Sequence, residues 1–187
     1  GALVAEEGKY LPEIKKCDIS SVKGSVIVKD FSKEKFKMNL KSNKVNVIKI
    51  LPGGVVTAKD TAEIELDANG EFVRNPEVDL VKVAVVERHQ GTGNVACGFL
   101  KGYGIKEGAV ALSIAHDSHN IIVVGVSDEE MEFAVNSLIE QEGGMVLVKE
   151  GKVIESMPMP IAGLMSDQSG EWVDQKLTDI HEKTYEE

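Results

Sequence analysis

Residues 109–126 read AVALSIAHDSHNIIVVGV, and they give the clearest indication of the fold class. Two apolar runs, residues 109–115 and 121–126, lie on either side of five polar residues, 116–120. Short apolar runs rich in β-branched residues are typical of buried strands. The five polar residues between them must then form a turn or an exposed bend, so the stretch predicts two neighbouring strands joined by a polar connection.

The sequence around this stretch adds further strands and hairpins. Residues 78–86 (VDLVKVAVV) predict a third buried strand, and residues 45–50 (VNVIKI) alternate as a half-buried strand does. The Asn-Gly pair at 69–70 and the Glu-Gly pair at 150–151 each predict a hairpin turn. Before them, residues 3–11 (LVAEEGKYL) predict two short extended runs joined by a turn, and residues 26–28 give a weak strand signal.

Three helices are predicted. Ser127 and Glu130 have the spacing of a capping box, and apolar residues then recur at helical intervals up to the glycine pair at 143–144. A short helix is predicted over residues 94–101, and an amphipathic helix from about Gly170. Strands and helices that interleave unevenly predict an α+β (mixed α/β) fold, a β-sheet with hairpins packed against about three helices.

Composition excludes several classes of function. With 187 residues, of which 42% are apolar, the chain can bury a proper core. It has 21 Lys plus Arg against 31 Asp plus Glu, a net charge of -10, which argues against a nucleic-acid partner. No apolar run of about 18 residues, as a membrane span needs, and no signal-peptide pattern is present, so no membrane partner is expected. Cys17 and Cys97 fit reduced thiols in the cytoplasm.

The polar connection at 116–120 is the first candidate site. His116 and His119 can bind a metal or the edge of a purine, and Asp117 can orient or protonate a ligand. Alternatively, the pairs Asp117-Ser118 and His119-Asn120 are turn formers whose side chains satisfy local backbone groups. Two histidines are too few to predict a zinc site, so both interpretations remain open.

A second candidate cluster follows the strand predicted at 78–86. Its members are Glu87, Arg88, His89, Gly91, Thr92, Gly93 and Asn94. Sheets often place ligands just outside the carboxyl ends of their strands, and a Gly-x-Gly loop can hold an anion through backbone N–H groups. The full dinucleotide fingerprint is absent, however, and strand ends are often polar for structural reasons.

A resemblance rests on five motifs that occur in order: ERH (87–89), GTGN (91–94), KGYG (101–104), AHDSHN (115–120) and PIAGLMSD (160–167). Together they resemble the C-terminal region of adenine deaminases of the amidohydrolase superfamily. The similarity covers roughly residues 78–167. In addition, LVAEEGKYL (3–11) is similar to the strand that closes the small β-domain of amidohydrolases.

The resemblance implies two parts, a trailing strand of the small β-domain at 1–15 and an adenine deaminase C-terminal domain at 16–187. It also implies a parent hydrolase of purine salvage that converts adenine and water to hypoxanthine and ammonia. A binuclear divalent metal centre (manganese, iron or zinc) would lie in a barrel outside this chain. We expect the barrel and a homo-oligomer as partners, and no deaminase activity from this chain alone.

Three roles for the chain remain open at this stage. The two candidate clusters can complete or cover the purine pocket of the barrel. Alternatively, the chain is a non-catalytic interdomain or oligomerisation domain, with the apolar segment PMPIAGLM (158–165) as its docking surface. As a third possibility, it binds a purine on its own, which saturable binding by the isolated chain would reveal.

Overall fold

A computed structural model describes residues 1–13, 15 and 17–185. These residues form twelve strands and two α-helices, together with short 3-10 turns at 20–22 and 33–36. The strands are β1 (Ala5–Glu6), β2 (Lys9–Tyr10), β3 (Lys44–Ile50), β4 (Thr57–Glu63), β5 (Glu65–Leu66), β6 (Phe72–Val73), β7 (Leu80–Val86), β8 (Val95–Lys101), β9 (Ala109–Leu112), β10 (Ile121–Gly125), β11 (Gly144–Lys149) and β12 (Lys152–Pro158). The helices are α1 (Asp128–Glu140) and α2 (Gly170–Tyr185).

Eight strands form one mixed sheet in the order β12-β11-β9-β10-β7-β8-β3-β4. Neighbours are antiparallel except β3 and β8, which are parallel over two residue pairs. The three apolar runs that the sequence assigns to buried strands are β7, β9 and β10, and they lie side by side at the centre. The predicted α+β class with a mixed sheet is therefore confirmed.

The two helices pack on opposite faces of the sheet and over different strands. Helix α1 lies on one face against β9, β10 and β11, where Met131 and Leu138 are fully buried. Phe36, from the segment before β3, is also fully buried in this core. On the other side, α2 packs against β12 and buries Ile180 with Met157 and Met159. These two methionines thus belong to the core, whereas Met165 in the segment that follows is 57% exposed.

The prediction of a helix over residues 94–101 is wrong, because this segment is strand β8. It pairs with β7 along its whole length, from Val86 opposite Val95 to Leu80 opposite Lys101. Val95 and Cys97 pack against the core beneath α1, and Phe99, 2% exposed, meets Phe72 edge to face in a neighbouring core. Pairing with a central strand outweighs the local effect of the glycines.

The predicted hairpins and the two remaining helices are present. Residues 65–73 form the β5–β6 hairpin around the Asn-Gly pair, and β11 and β12 turn at 149–152. Ser127 accepts a hydrogen bond from the Glu130 N–H at 3.2 Å, which caps α1. The Glu130 carboxylate does not complete the capping box; it accepts from the Gly151 N–H instead. Neither described helix is long and apolar enough to cross a membrane.

Candidate functional site

Three loops, two of them polar, meet at one end of the eight-stranded sheet. They are the glycine loop (residues 87–94, between β7 and β8), the histidine turn (residues 116–120, between β9 and β10) and the AGLM loop (residues 161–165, after β12). The glycine loop and the histidine turn meet because β7 and β10 are antiparallel neighbours, with Val86 at the end of β7 opposite Ile121 at the start of β10. Both sequence-predicted clusters therefore lie together.

Three of the four histidines of the chain gather in these loops. The rings of His116 and His119 lie edge to face with centroids 5.5 Å apart. The Nε2 atom of His89 is 2.9 Å from the backbone oxygen of Ser118, so the glycine loop contacts the histidine turn. The result is a small surface rich in groups that can both donate and accept hydrogen bonds.

The outer part of the histidine turn faces solvent. The side chains of His116 and Asp117 are 86% and 98% exposed, and Nδ1 of His116 is 2.7 Å from Oδ1 of Asp117. The Nδ1 atom of His119 is buried and makes no hydrogen bond within the described part of the chain. The packing of this domain does not need the exposed pair, which leaves it available to a ligand or another domain.

The inner part of the turn is organised by its own backbone. The His119 N–H donates to the Ala115 oxygen at 2.6 Å, and His119 has a left-handed backbone with φ of 51°. The Asn120 N–H donates to Ser118 Oγ, and Asn120 Oδ1 accepts from the Arg88 N–H, each at 3.4 Å. Ser118 and Asn120 thus act as the turn formers of the alternative interpretation.

Glu87 organises the glycine loop. Its carboxylate accepts hydrogen bonds from the backbone N–H groups of His89, Gln90 and Thr92, and from the Thr92 hydroxyl. The backbone N–H of Thr92, followed by that of Gln90, lowers the pKa of Glu87 to about 2. Because these N–H groups point inward at a protein carboxylate, they are not free to bind an external anion.

Arg88 lies beneath the histidine turn and is only 1% exposed. Its Nε donates to the His119 oxygen at 2.6 Å, and its Nη2 donates to the Ala162 oxygen at 3.2 Å. Burial lowers its pKa. A Cβ at Gly163 would lie 2.7 Å from Nη1, so only glycine fits beside the guanidinium. Because Arg88 is almost fully buried, it contributes to the site through the two loops that it joins and not by direct contact with a ligand.

Two supporting residues were missed by sequence reasoning. Ser113 is fully buried; its Oγ donates to the Gly163 oxygen at 2.5 Å and accepts from the Gly144 N–H at 2.8 Å. A single serine inside the apolar run at 109–115 was an available signal. Lys35 donates to the Gly93 oxygen at 2.6 Å, a contact 58 residues away in sequence that no local pattern indicates.

The described residues contain no group of three His, Cys, Asp or Glu side chains arranged to hold a metal ion. Zinc sites in proteins use three or four such ligands. His116 and His119 are therefore not joined by a third ligand among the described residues.

Fold and site together define an α+β domain that presents a histidine-bearing surface at one end of a mixed sheet. The sequence profile of the family described as "Adenine deaminase C-terminal domain" matches residues 54–187. The chain belongs to this family.

Relatives called adenine deaminase match all or most of the chain. It is 62% identical over 186 residues to "Adenine deaminase 2" of Desulfotalea psychrophila and 45% identical over 187 residues to "Adenine deaminase" of Ligilactobacillus salivarius. Both alignments cover 100% of this chain and 32% of the relative. "Adenine deaminase" of Bacillus subtilis is 45% identical over 153 residues, 81% of this chain and 26% of the relative. The chain thus spans about a third of the length of the curated relatives it matches.

Proposed function

We propose that this chain is the C-terminal part of an adenine deaminase and that its histidine turn completes or covers the purine pocket of the metal-dependent barrel. The reaction is the hydrolysis of adenine to hypoxanthine and ammonia. The barrel would hold the manganese, iron or zinc ions that activate water. The residues of this chain would bind and enclose the purine.

One observation carries the proposal: the exposed His116–Asp117 pair beside His119 and His89. Nothing in the packing of the domain requires two such side chains, 86% and 98% exposed, to stand hydrogen-bonded at a sheet end. A neutral imidazole donates from one nitrogen and accepts at the other, which suits a purine edge that offers both kinds of group. A ring placed over the purine would also exclude water.

A second observation favours an additional interdomain role. Strands β1 and β2 form a two-stranded sheet of their own, and every described residue from 1 to 13 is exposed. An isolated two-stranded hairpin is at best marginally stable in water. Leu3, Val4, Tyr10 and Leu11, each 49–66% exposed, would gain burial if this hairpin joined the small β-domain of the longer protein. We propose that the segment 1–15 belongs to that domain and 16–187 to the C-terminal domain.

The test uses the full-length protein that contains this region. His116→Ala and His119→Ala should each lower kcat/KM for adenine by about tenfold, as the loss of a hydrogen bond to the substrate does. His181→Ala is the matched control, because His181 is an exposed histidine on α2, away from the three loops. It should leave both kcat and KM unchanged.

If His116→Ala and His119→Ala behave like His181→Ala, the turn is structural and the pocket proposal is wrong. Isothermal titration of the 187-residue chain with adenine and hypoxanthine, with and without manganese or zinc, separates the remaining alternative. Saturable binding would favour a purine-binding module that works on its own. No binding would support a pocket that requires the barrel.

A further inference from the structure

We infer that Arg88 is a positioning residue, which fixes the histidine turn over its target by joining it to the AGLM loop. The inference deepens the proposed function and rests on it. Arg88 itself would not contact the purine, because 1% of it is exposed.

The geometry gives Arg88 a link to both loops. Its Nε donates to the oxygen of His119, the residue whose backbone is left-handed, and its Nη2 donates to the oxygen of Ala162. Ala162 is left-handed as well, with φ of 57°. Non-glycine residues seldom adopt this conformation unless surrounding contacts hold it. The guanidinium is the group that holds both.

Among the described residues, no carboxylate pairs with Arg88. Desolvation is the sole cause that shifts its pKa, whereas the buried Lys82 pairs with Asp128 at 2.7 Å. Burying a charge without a carboxylate partner costs free energy. The two hydrogen bonds from the Arg88 guanidinium to carbonyl oxygens offset part of this cost, so we expect the folded protein to retain them. A lysine has no planar fork and cannot reproduce two donors at this spacing.

The AGLM loop is itself held in place by hydrogen bonds to other parts of the domain. Ser113 donates to the Gly163 oxygen, and the Ala162 N–H donates to the Val22 oxygen at 2.9 Å. Gly163 lies against the guanidinium with no room for a Cβ. Arg88 therefore transmits the position of a fixed loop to the turn that carries His116 and His119.

The test compares Arg88→Met and Arg88→Lys with Arg74→Met in the full-length protein. Arg74 is the matched control, since it is the other arginine of the chain and donates to a backbone oxygen, that of Ile105, away from the histidines. Hydrogen exchange measured by mass spectrometry reports on residues 114–122 and, as a reference for the overall fold, on α1. Steady-state kinetics with adenine gives kcat and KM separately.

We expect Arg88→Met to accelerate exchange in residues 114–122 at least tenfold with α1 unchanged. It should also lower kcat/KM by ten- to a hundredfold, the effect of a displacement of about 1 Å. Arg88→Lys should recover part of both, and Arg74→Met should change neither. If Arg88→Met disturbs α1 as well, Arg88→Lys alone decides: an unchanged exchange rate in 114–122 overturns the inference.

The two proposals fail differently. If the His116 and His119 variants lose activity but the Arg88 variants keep normal kcat/KM and exchange, Arg88 does not position the turn and the proposed function stands. If the Arg88 variants loosen the turn but the histidine variants retain full activity, the role in the reaction is overturned together with the proposed function.

Discussion

At the scale of single residues, Glu87 shows how one carboxylate can order a glycine-rich loop. Gly91 and Gly93 have positive φ. Because glycine has many accessible backbone conformations, the loop needs hydrogen bonds to another group of the protein to keep a single conformation. Glu87 is that partner, because its two oxygens accept three backbone N–H groups and one hydroxyl. A carboxylate can fill this role only while it is ionised.

The pKa of Glu87 predicts when the loop loosens. A carboxyl group whose pKa is about 2 in the folded protein, below its ordinary 4.5, contributes stability above pH 4.5. That contribution is lost as the pH falls from 4.5 through 2. In NMR titrations of the chain, the amide protons of Gln90 and Thr92 should shift with a midpoint near 2.

Glu87→Gln supplies the control for this titration. The variant has no charge to titrate, so the shift of these amide protons should vanish, and exchange in the glycine loop should be faster at neutral pH. A midpoint near 4.5 in the unmodified chain would contradict the role given to Glu87.

At the scale of elements, the N-terminus of α1 is capped by the hydroxyl of Ser127. Ser127 Oγ accepts the Glu130 N–H, and three acidic residues in the first turn face the positive end of the helix dipole. Lys82 of β7 pairs with Asp128 and donates to the Phe36 oxygen, so the same helix end is also fixed to the sheet. The cap and this ion pair together fix the first turn.

Loss of the cap should have a measurable cost. Ser127→Ala should reduce the free energy of unfolding by about 1 kcal/mol, the usual cost of removing an N-cap oxygen. Ser137→Ala, within the same helix but without a side-chain hydrogen bond in the described structure, should leave it unchanged within about 0.5 kcal/mol. Urea denaturation followed by circular dichroism measures both. Equal values for the two variants would contradict the capping role.

The same elements indicate how far sequence reasoning reaches. Helix α1 was predictable because its cap and apolar spacing lie within one segment, and the hairpins were predictable from their turns. Strand β8 was not, because Gly98 within it and the glycines on either side obscure a strand pattern locally, and only pairing with β7 selects the extended form. The alternation of Val95, Cys97 and Phe99, all facing one side, was a signal for a strand that the glycines obscured.

The candidate site divides in the same way. The polar density of the histidine turn was visible in the sequence, and it lies beside the glycine loop. The separate roles of these residues were not visible, because the sequence does not distinguish a carboxylate that orders a loop from one that contacts a ligand. Burial separates Arg88 from His116, and burial is a property of the whole fold.

At the scale of the whole molecule, we expect no adenine deamination by the 187-residue chain alone. Metal-assisted hydrolysis needs bound metal to generate hydroxide near neutral pH, and no three metal-ligating side chains are grouped within residues 1–13, 15 and 17–185. Ammonia release from adenine, measured with manganese or zinc supplied, should stay at the background rate. The full-length protein is the positive control, and turnover by the pure chain would contradict the expectation.

The segment before residue 54 has a practical consequence for anyone who subdivides this polypeptide. The family match begins within the β3–β4 hairpin, after Phe36 and all of β3. A recombinant fragment that starts at residue 54 would keep β4 without β3 and leave β8 as an edge strand that is unpaired on one side. It would also lack Phe36 and so leave a cavity in the core. Unpaired strand edges and cavities of this kind promote aggregation, so a boundary drawn from similarity would yield an insoluble product where a boundary drawn from packing would not.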